Sequence, residues 1–166
     1  DNIERIKMYK AYDRYSKAVK EIHFLASTTN NISLIVTHLT FCEYFDEPIG
    51  LCIPPVTHLT FGDSFDRPIE GCIPSTVTHL RFGNNFRQRI DHIPTSVFYL
   101  RLGRWFNHPI KDCVPSSVTH LELKSGFGQS LCNLPPSVTH IISACYCNDD
   151  AICDFFDSGG IKFIKK

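Results

Sequence analysis

Residues 77–83 read Val77-Thr78-His79-Leu80-Arg81-Phe82-Gly83, and variants of this stretch occur six times in the chain. The leading valine recurs at steps of 20 or 21 residues, as Val36, Val56, Val77, Val97, Val118 and Val138. Most copies continue to a second aromatic residue, a Pro-Ile pair and then an Ile-Pro pair. A fixed period near 20 residues predicts a solenoid, because a single unit of this length cannot bury its own apolar face.

The opening of each copy has the pattern of a β-strand. We number the places of a copy from its valine, so that places one, four and six are apolar, as in Val56, Leu59 and Phe61. This alternation predicts a strand whose apolar side chains point inward. With one strand per copy, the strands must be parallel and about 4.8 Å apart. We expect the chain to leave the sheet at place seven, through a backbone conformation that a side chain would strain, at Gly62, Gly83 and Gly103.

These features predict a β-rich, leucine-rich-repeat-like solenoid of about eight parallel strands, with one strand for each repeat of 20–21 residues. We expect residues 1–31 to form a short N-terminal capping helix and a degenerate capping repeat. Residues 32–143 are expected to form the regular array. Residues 144–166 are expected to form a C-terminal cap with a last strand.

The two ends depart from the repeat. Residues 1–17 have apolar side chains at helical spacing, which favours either a capping helix or a linker helix from another domain. In the following stretch, strand places one, four and six are assigned to Val19, Ile22 and Phe24. Near the C-terminus, Ile161 lies 20 residues after Ile141 and predicts one more strand.

Charge and motifs narrow the classes of function. The chain has 17 Lys and Arg residues and 17 Asp and Glu residues, so neither nucleic acid nor an anionic membrane is the expected partner. No run of residues approaches the roughly 18 apolar residues that span a bilayer. Catalytic motifs and phosphate-binding glycine loops are absent from the sequence, so we expect no enzyme and no cofactor.

The eight cysteines are too few for a disulfide scaffold, which favours an intracellular location. Cys52, Cys72 and Cys113 each precede an apolar residue and a proline, and we expect buried thiols there. A disulfide between Cys52 and Cys72 is the alternative. Ordinary thiols, a disulfide or a zinc site remain open for the C-terminal group of Cys132, Cys145, Cys147 and Cys153.

Place three of the repeat forms a column of histidines across the predicted sheet: His38, His58, His79, His120 and His140, with Tyr99 in one copy. Neighbouring parallel strands offer a metal at most two ring nitrogens, whereas a metal site needs three or four ligands. We therefore interpret the histidines as a structural ladder and expect no metal site. Because stacked imidazoles repel one another when protonated, acidification through about pH 6 is expected to destabilise the array.

Place five is the variable column, and it is predicted to read His23, Thr40, Thr60, Arg81, Arg101, Glu122 and Ile142. Two arginines on adjacent strands are unfavourable unless an anion binds them. The copy that contains Arg101 also replaces the usual Thr-His pair by Phe98 and Tyr99. The only tryptophan, Trp105, follows in the same copy.

Tyrosine, tryptophan and arginine are the residues enriched in binding hot spots. We therefore predict a partner-binding patch formed by Arg81, Phe98, Tyr99, Arg101, Trp105 and Glu122. An acidic peptide or a phosphorylated segment suits its arginines. The alternative interpretation is local packing of the aromatic side chains.

The pattern Val-Thr-His-Leu-x-Phe-Gly-x-x-Phe-x-x-Pro-Ile, followed by Ile-Pro, resembles the FNIP repeat, a relative of the leucine-rich repeat. That family is expanded in social amoebae and in giant viruses that infect amoebae. The likeness covers residues 36–143 closely. One departure concerns the Phe-Asn pair that helps to name the repeat, because only Phe106-Asn107 retains it.

The resemblance implies a module for protein–protein interaction. Family members often carry an N-terminal F-box, which implies the substrate-recognition part of an F-box-type ubiquitin ligase adaptor in the cytoplasm of a host or amoeba cell. Contact with ubiquitin ligase components would then depend on sequence before Asp1. The alternative is a structural or decoy viral protein with no ligase role. A third class, an extracellular sensing solenoid, would require oxidised cysteines.

Overall fold

The computed structural model of the chain describes residues 23–29, 32–50, 53–131, 134–143 and 162–165. Within these residues the chain forms one parallel sheet of eight strands in sequence order. The strands are β1 (His23–Ala26), β2 (His38–Phe41), β3 (His58–Thr60), β4 (His79–Arg81), β5 (Tyr99–Leu102), β6 (His120–Leu123), β7 (His140–Ser143) and β8 (Lys162–Lys165). The predicted parallel β-solenoid is therefore confirmed, while the predicted N-terminal helix lies outside the described residues.

Corresponding residues of successive copies lie next to one another. Leu59 of β3 pairs with Leu80 of β4, and Leu80 pairs with Leu100 of β5. The step is 21 residues in the first case and 20 in the second. The strands stay aligned because the extra residue falls in the segment between one strand and the next.

The core consists of columns of identical or similar side chains. Places one, four and six of each copy are buried, as Val56, Leu59 and Phe61 show. The ring centroids of Phe61 and Phe82 lie 5.5 Å apart in nearly parallel planes, and Phe65 stacks on Phe61 at 4.1 Å within one coil. Since burial of a large apolar side chain contributes about 1.5–3 kcal/mol, these columns dominate the stability of the array.

The glycines at place seven have a different role from the one predicted. Gly62, Gly83 and Gly103 do not adopt positive φ; among the described glycines only Gly50 and Gly71 do. A Cβ atom at Gly83 would overlap the carbonyl of Gly62, and one at Gly103 would overlap the carbonyl of Gly83. These three positions therefore favour glycine because successive coils approach each other closely there, and not because of backbone strain.

The pairing at the first strand differs from the sequence prediction by two residues. Phe24 pairs with Leu39 and so occupies place four, while Ala26 pairs with Phe41. His23 consequently joins the histidine column instead of place five. A slip of two residues keeps the same side chains facing inward, so the apolar pattern alone did not distinguish the two registers.

The last strand shows the same kind of shift. Phe163 pairs with Ile141, whereas the spacing of 20 residues assigned that position to Ile161. The partner of Ile141 therefore lies two residues further along the chain than predicted.

The residue that follows the second aromatic connects successive coils. The backbone N–H of Asp66 donates to Oδ1 of Asp46 at 2.9 Å, and the N–H of Arg87 donates to Oδ1 of Asp66 at 2.9 Å. Asn107 accepts from the N–H of Gly128 in the same way. Each of these bonds uses only an acceptor oxygen of the side chain. Aspartate and asparagine both carry such an oxygen, which explains why aspartate replaces asparagine in the Phe-Asn pair.

Candidate functional site

The outer face of the sheet carries a stacked column of imidazole rings. The ring centroids of His23 and His38 lie 4.2 Å apart, those of His38 and His58 3.9 Å, and those of His58 and His79 4.0 Å. Tyr99 interrupts the column, and stacking resumes beyond it at 4.3 Å between His120 and His140. Among the described residues, no group of three or more His, Cys, Asp or Glu side chains is placed to hold a metal ion.

The threonine at place two fixes the orientation of each imidazole. Thr57 Oγ1 lies 3.0 Å from Nδ1 of His58 and donates to the carbonyl of Thr37 at 3.1 Å. Because a hydroxyl carries one proton, the bond to His58 requires that Nδ1–H donates to Thr57 Oγ1. Thr78 and His79 repeat this arrangement. This arrangement therefore requires a proton on Nδ1 of His58 and of His79.

The environment of two rings of the column, His79 and His120, opposes their protonation. Burial lowers the pKa of His79, and the positive charges of Arg81 and protonated His120 lower it further. Burial and the neighbouring His140 likewise lower the pKa of His120. These two imidazoles thus bind protons less readily in the folded chain than free histidine does.

The coil that contains β5 departs from this pattern at two adjacent places. Phe98 replaces the threonine and packs edge-on against His79, with 4.5 Å between ring centroids. Tyr99 replaces the histidine, and its hydroxyl donates to Oε2 of Glu122 at 2.6 Å. Phe98 remains 39% exposed. The Thr-His pair is thus exchanged as a unit for two larger aromatic side chains.

Glu122 is the buried anion of this region, with 5% of its surface exposed. Besides the Tyr99 hydroxyl, it contacts Nζ of Lys124 at 3.2 Å and Nε of Arg101 at 3.8 Å. Burial alone would raise the pKa of Glu122, but the hydrogen bonds from Tyr99 and Lys124 and the two positive charges lower it overall. Burial and the Glu122 contact raise the pKa of Tyr99 to about 12. Glu122 is therefore an internal counterion.

The structure brings most of the predicted patch residues into one network but leaves Trp105 apart. The guanidinium of Arg81 lies over the Tyr99 ring, 5.1 Å from its centroid, so Arg81, Phe98, Tyr99, Arg101 and Glu122 are joined through Tyr99 and its neighbours. The contacts of the Trp105 ring are with Arg87 at 5.9 Å and Arg104 at 5.5 Å.

Sequence reasoning missed three cations of this region: Arg87, Arg104 and Lys124. Two of them, Arg87 and Lys124, stand where the repeat has another residue, and this departure from the repeat was the signal that could have identified them. Arg87 takes the place of the Asp or Asn that follows the second aromatic, and Lys124 takes the place of the glycine at place seven.

A shallow trough precedes the patch on the same face. It has a volume of about 360 Å³ and lies over Thr40 and Thr60, with Arg81 and Arg101 at one end. The trough exists because place five holds small threonines in β2 and β3 and large arginines in β4 and β5. The change in side-chain size at β4 gives the face a step.

The described cysteines Cys42, Cys72 and Cys113 are free thiols. Cys113 Sγ donates to Oδ1 of Asp91 at 2.7 Å, and burial together with this contact raises the pKa of the thiol to about 11. The alternatives weighed for Cys52, and for the group of Cys132, Cys145, Cys147 and Cys153, lie outside the described residues.

Comparison with known proteins identifies the repeat. A family model described as FNIP Repeat matches residues 50–85, 65–105, 86–126 and 106–142, which together cover more than half of the chain. A search of curated proteins finds no match. Among the described residues, no helix is long and apolar enough to cross a membrane.

Proposed function

The chain belongs to the FNIP repeat family, and from this premise we propose that it is a protein-interaction module whose outer sheet face binds a protein partner. The binding surface is centred on β4 and β5 and includes Arg81, Phe98, Tyr99 and Arg101, with Trp105 at its border. Glu122 lies beneath this surface and holds Tyr99 and Arg101 in position.

The observation that carries this proposal is the break in the outer columns at β5. The interior of this coil stays apolar and buried, with Val97, Leu100 and Phe106 as in the repeat and Leu102 in place of the phenylalanine at place six. Its outer residues change in chemical character, from threonine and histidine to an exposed phenylalanine and a fixed tyrosine. A change confined to the exposed face does nothing for the core, whereas aromatic and arginine side chains are the usual anchors of protein interfaces.

We propose binding without catalysis. Glu122 and Cys113 are an acidic and a thiol group with constrained environments in the described part of the chain. Glu122 is balanced by three partners, and the raised pKa of Cys113 keeps its thiol protonated and a poor nucleophile at neutral pH.

A finer assignment follows from the family resemblance. We propose that the module selects substrates for an F-box-type ubiquitin ligase and works inside the cell. The free thiols of Cys42, Cys72 and Cys113 support a reducing compartment. Recovery of ubiquitin ligase components with the full-length protein would support the adaptor role, and their absence would favour the structural or decoy role.

Quantitative affinity capture from a host-cell lysate tests the binding surface. Native chain is compared with the variant Arg81→Glu/Arg101→Glu/Trp105→Ala and with Lys111→Glu, a control in the segment between β5 and β6. We expect the triple variant to lose specific partners that Lys111→Glu retains. Equal recovery by all three proteins, with unchanged thermal melting, would contradict the proposed surface.

A further inference from the structure

The face that carries the proposed surface has an uneven distribution of charge. Between β2 and β4 the residues just beyond the strands are acidic, with Glu43 and Asp63 at place eight. In the next two coils the same place holds Asn84 and then Arg104. Place eleven changes in the same direction, from Asp66 to Arg87. The chain has no net charge, yet six of the eight lysine and arginine residues within residues 32–143 lie in the coils of β4 and β5.

Three arginines in these two coils share one geometry. Each guanidinium lies near an aromatic ring: Arg81 over Tyr99, and Arg87 and Arg104 against Trp105. None of the three forms an ion pair with a carboxylate within the described residues. By contrast, Arg67 and Arg89 contact Asp46 and Asp91 at 2.7 and 2.6 Å.

Stacking on an aromatic ring prepares an arginine to bind an anion. The ring covers one face of the planar guanidinium and restricts its rotamers, while the N–H donors at the edge of the plane remain available. A carboxylate accepts two of these donors at once. The like charges of Arg87 and Arg104 beside a single ring also repel each other, and an anion between them relieves this repulsion.

On these grounds, we propose that the coils of β4 and β5 bind a short acidic segment of a partner protein, whose Asp or Glu side chains pair with Arg81, Arg87 and Arg104. This inference rests on the proposed function and specifies its partner. Arg101 has a different role, because Glu122 already neutralises it.

Charge also limits what kind of anion fits. Arg81 ends strand β4, whereas Arg87 and Arg104 lie beyond the strands of two adjacent coils, and this spread suits several single charges along a peptide. A long polyanion such as a nucleic acid would extend over Glu43 and Asp63 of the preceding coils and be repelled there. A short acidic segment avoids both carboxylates, and their repulsion also fixes where it binds.

The protein contains its own reporter for this site. Trp105 is the only tryptophan in the chain, it is 52% exposed, and it contacts two of the three arginines. Its fluorescence is recorded during titration with a blocked peptide of six aspartates, and with a blocked peptide of six asparagines, at low salt. We expect a saturable change with the aspartate peptide alone, and a weaker affinity as salt is raised.

Two charge-matched variants decide whether the site is specific. Arg87→Gln/Arg104→Gln removes two unpaired charges and is expected to weaken binding by about tenfold or more. Arg67→Gln/Arg89→Gln removes two paired charges elsewhere and is expected to change the affinity by less than about twofold. Circular dichroism melts confirm that both variants are folded. Equal weakening by the two pairs would show a non-specific charge effect and overturn the proposal.

The proposal is also overturned if the aspartate peptide does not bind, or if a single-stranded oligonucleotide binds more tightly than the peptide. It is overturned as well if these arginines pair with Glu43 and Asp63 of a second copy of the chain. Sedimentation of the native chain and of Arg87→Gln/Arg104→Gln detects this self-association. If the peptide fails while captured partners still depend on Arg81, Arg101 and Trp105, the protein-binding function stands and only the acidic segment is wrong.

Discussion

The coils that contain β3 and β5 have similar apolar interiors, with Leu102 in the second coil where the first has Phe61, and different exteriors. Phe65 and Phe106 occupy the same place in the two coils, and both are fully buried. On the outer face, the Thr57-His58 pair of one coil corresponds to Phe98 and Tyr99 in the other. Stacking of coils constrains the interior, because each side chain must fit the copies on either side. The exterior is free of this constraint, so its departures are the places to look for function.

Loss of a core phenylalanine is the largest expected effect and should be of similar size in the two coils. Phe65→Ala and Phe106→Ala each remove a buried ring between two stacked neighbours. We expect each substitution to lower the free energy of unfolding by about 3–5 kcal/mol, measured by chemical denaturation. Tyr44→Ala is the control, because that side chain is exposed. A much smaller effect at Phe106 would mean that the interiors are not equivalent.

The place-seven glycines should also behave alike in the two coils. A methyl group at Gly62 or Gly103 would overlap a carbonyl of the preceding coil, so Gly62→Ala and Gly103→Ala are each expected to cost about 3 kcal/mol. Gly71→Ala meets only backbone strain, since its φ is +66° and no atom lies within 4 Å of the added Cβ. We expect about 1–2 kcal/mol there. Equal losses at all three positions would contradict the close approach of coils.

Glu122 tests the part of the outer face that is unique to β5 and β6. Glu122→Gln leaves Arg101 and Lys124 without their counterion, and we expect a loss of about 2 kcal/mol at pH 7. Arg67→Gln, which breaks the exposed pair with Asp46, should cost less than about 1 kcal/mol. Denaturation at matched salt measures both. A neutral Glu122→Gln variant would show that this carboxylate does not organise the surface.

Acidification is expected to have the smallest effect on stability. It acts on the histidine column of the regular coils, which the coil of β5 interrupts. The pKa values of His79 and His120 are lowered in the folded state, so the unfolded chain binds more protons as pH falls below about 6.5. Stability therefore decreases with acidification, and we expect a fall of a few degrees in Tm between pH 7.5 and pH 5. Because the pKa of Glu122 is lowered, the contribution of this carboxylate to folding stability is lost only below the range from pH 7.5 to pH 5.

A double substitution sharpens the pH comparison. Phe98→Thr/Tyr99→His fills the gap in the imidazole column between β4 and β6, which adds a titrating ring between two others. We expect the difference in Tm between pH 7.5 and pH 5 to become larger than in the native chain. An unchanged difference would mean that the column does not titrate as a coupled set.

The regular part of the fold was predictable because one period repeats six times. That period alone places Leu59 beside Leu80, and it identifies Phe65 and Phe106 as core residues. The ends were less predictable, because a degenerate strand such as His23–Ala26 buries a similar face in two registers that differ by two residues. There the stacking of His23 on His38 accompanies the observed register, and an apolar pattern does not contain that contact.

The candidate site was only partly predictable for a related reason. Sequence position shows that Tyr99 and Arg101 share a face, since strand alternation determines it. It does not show which charges are neutralised. Glu122 is an internal counterion because Tyr99 crosses between columns to reach it, and Trp105 lies with Arg87 and Arg104 beyond the strand. Both arrangements depend on side-chain conformations in neighbouring coils.

The acceptor oxygens of Asp46, Asp66 and Asn107 have an implication for how such a protein arises. The coil of Asp66 donates a backbone N–H to the acceptor of the coil before it and offers an equivalent acceptor to the coil after it. Duplication of such a unit in the gene therefore inserts a coil whose two faces already match its neighbours. The array is able to grow or shrink over evolutionary time by whole coils, and each new copy brings an outer face on which mutation acts without disturbing the core.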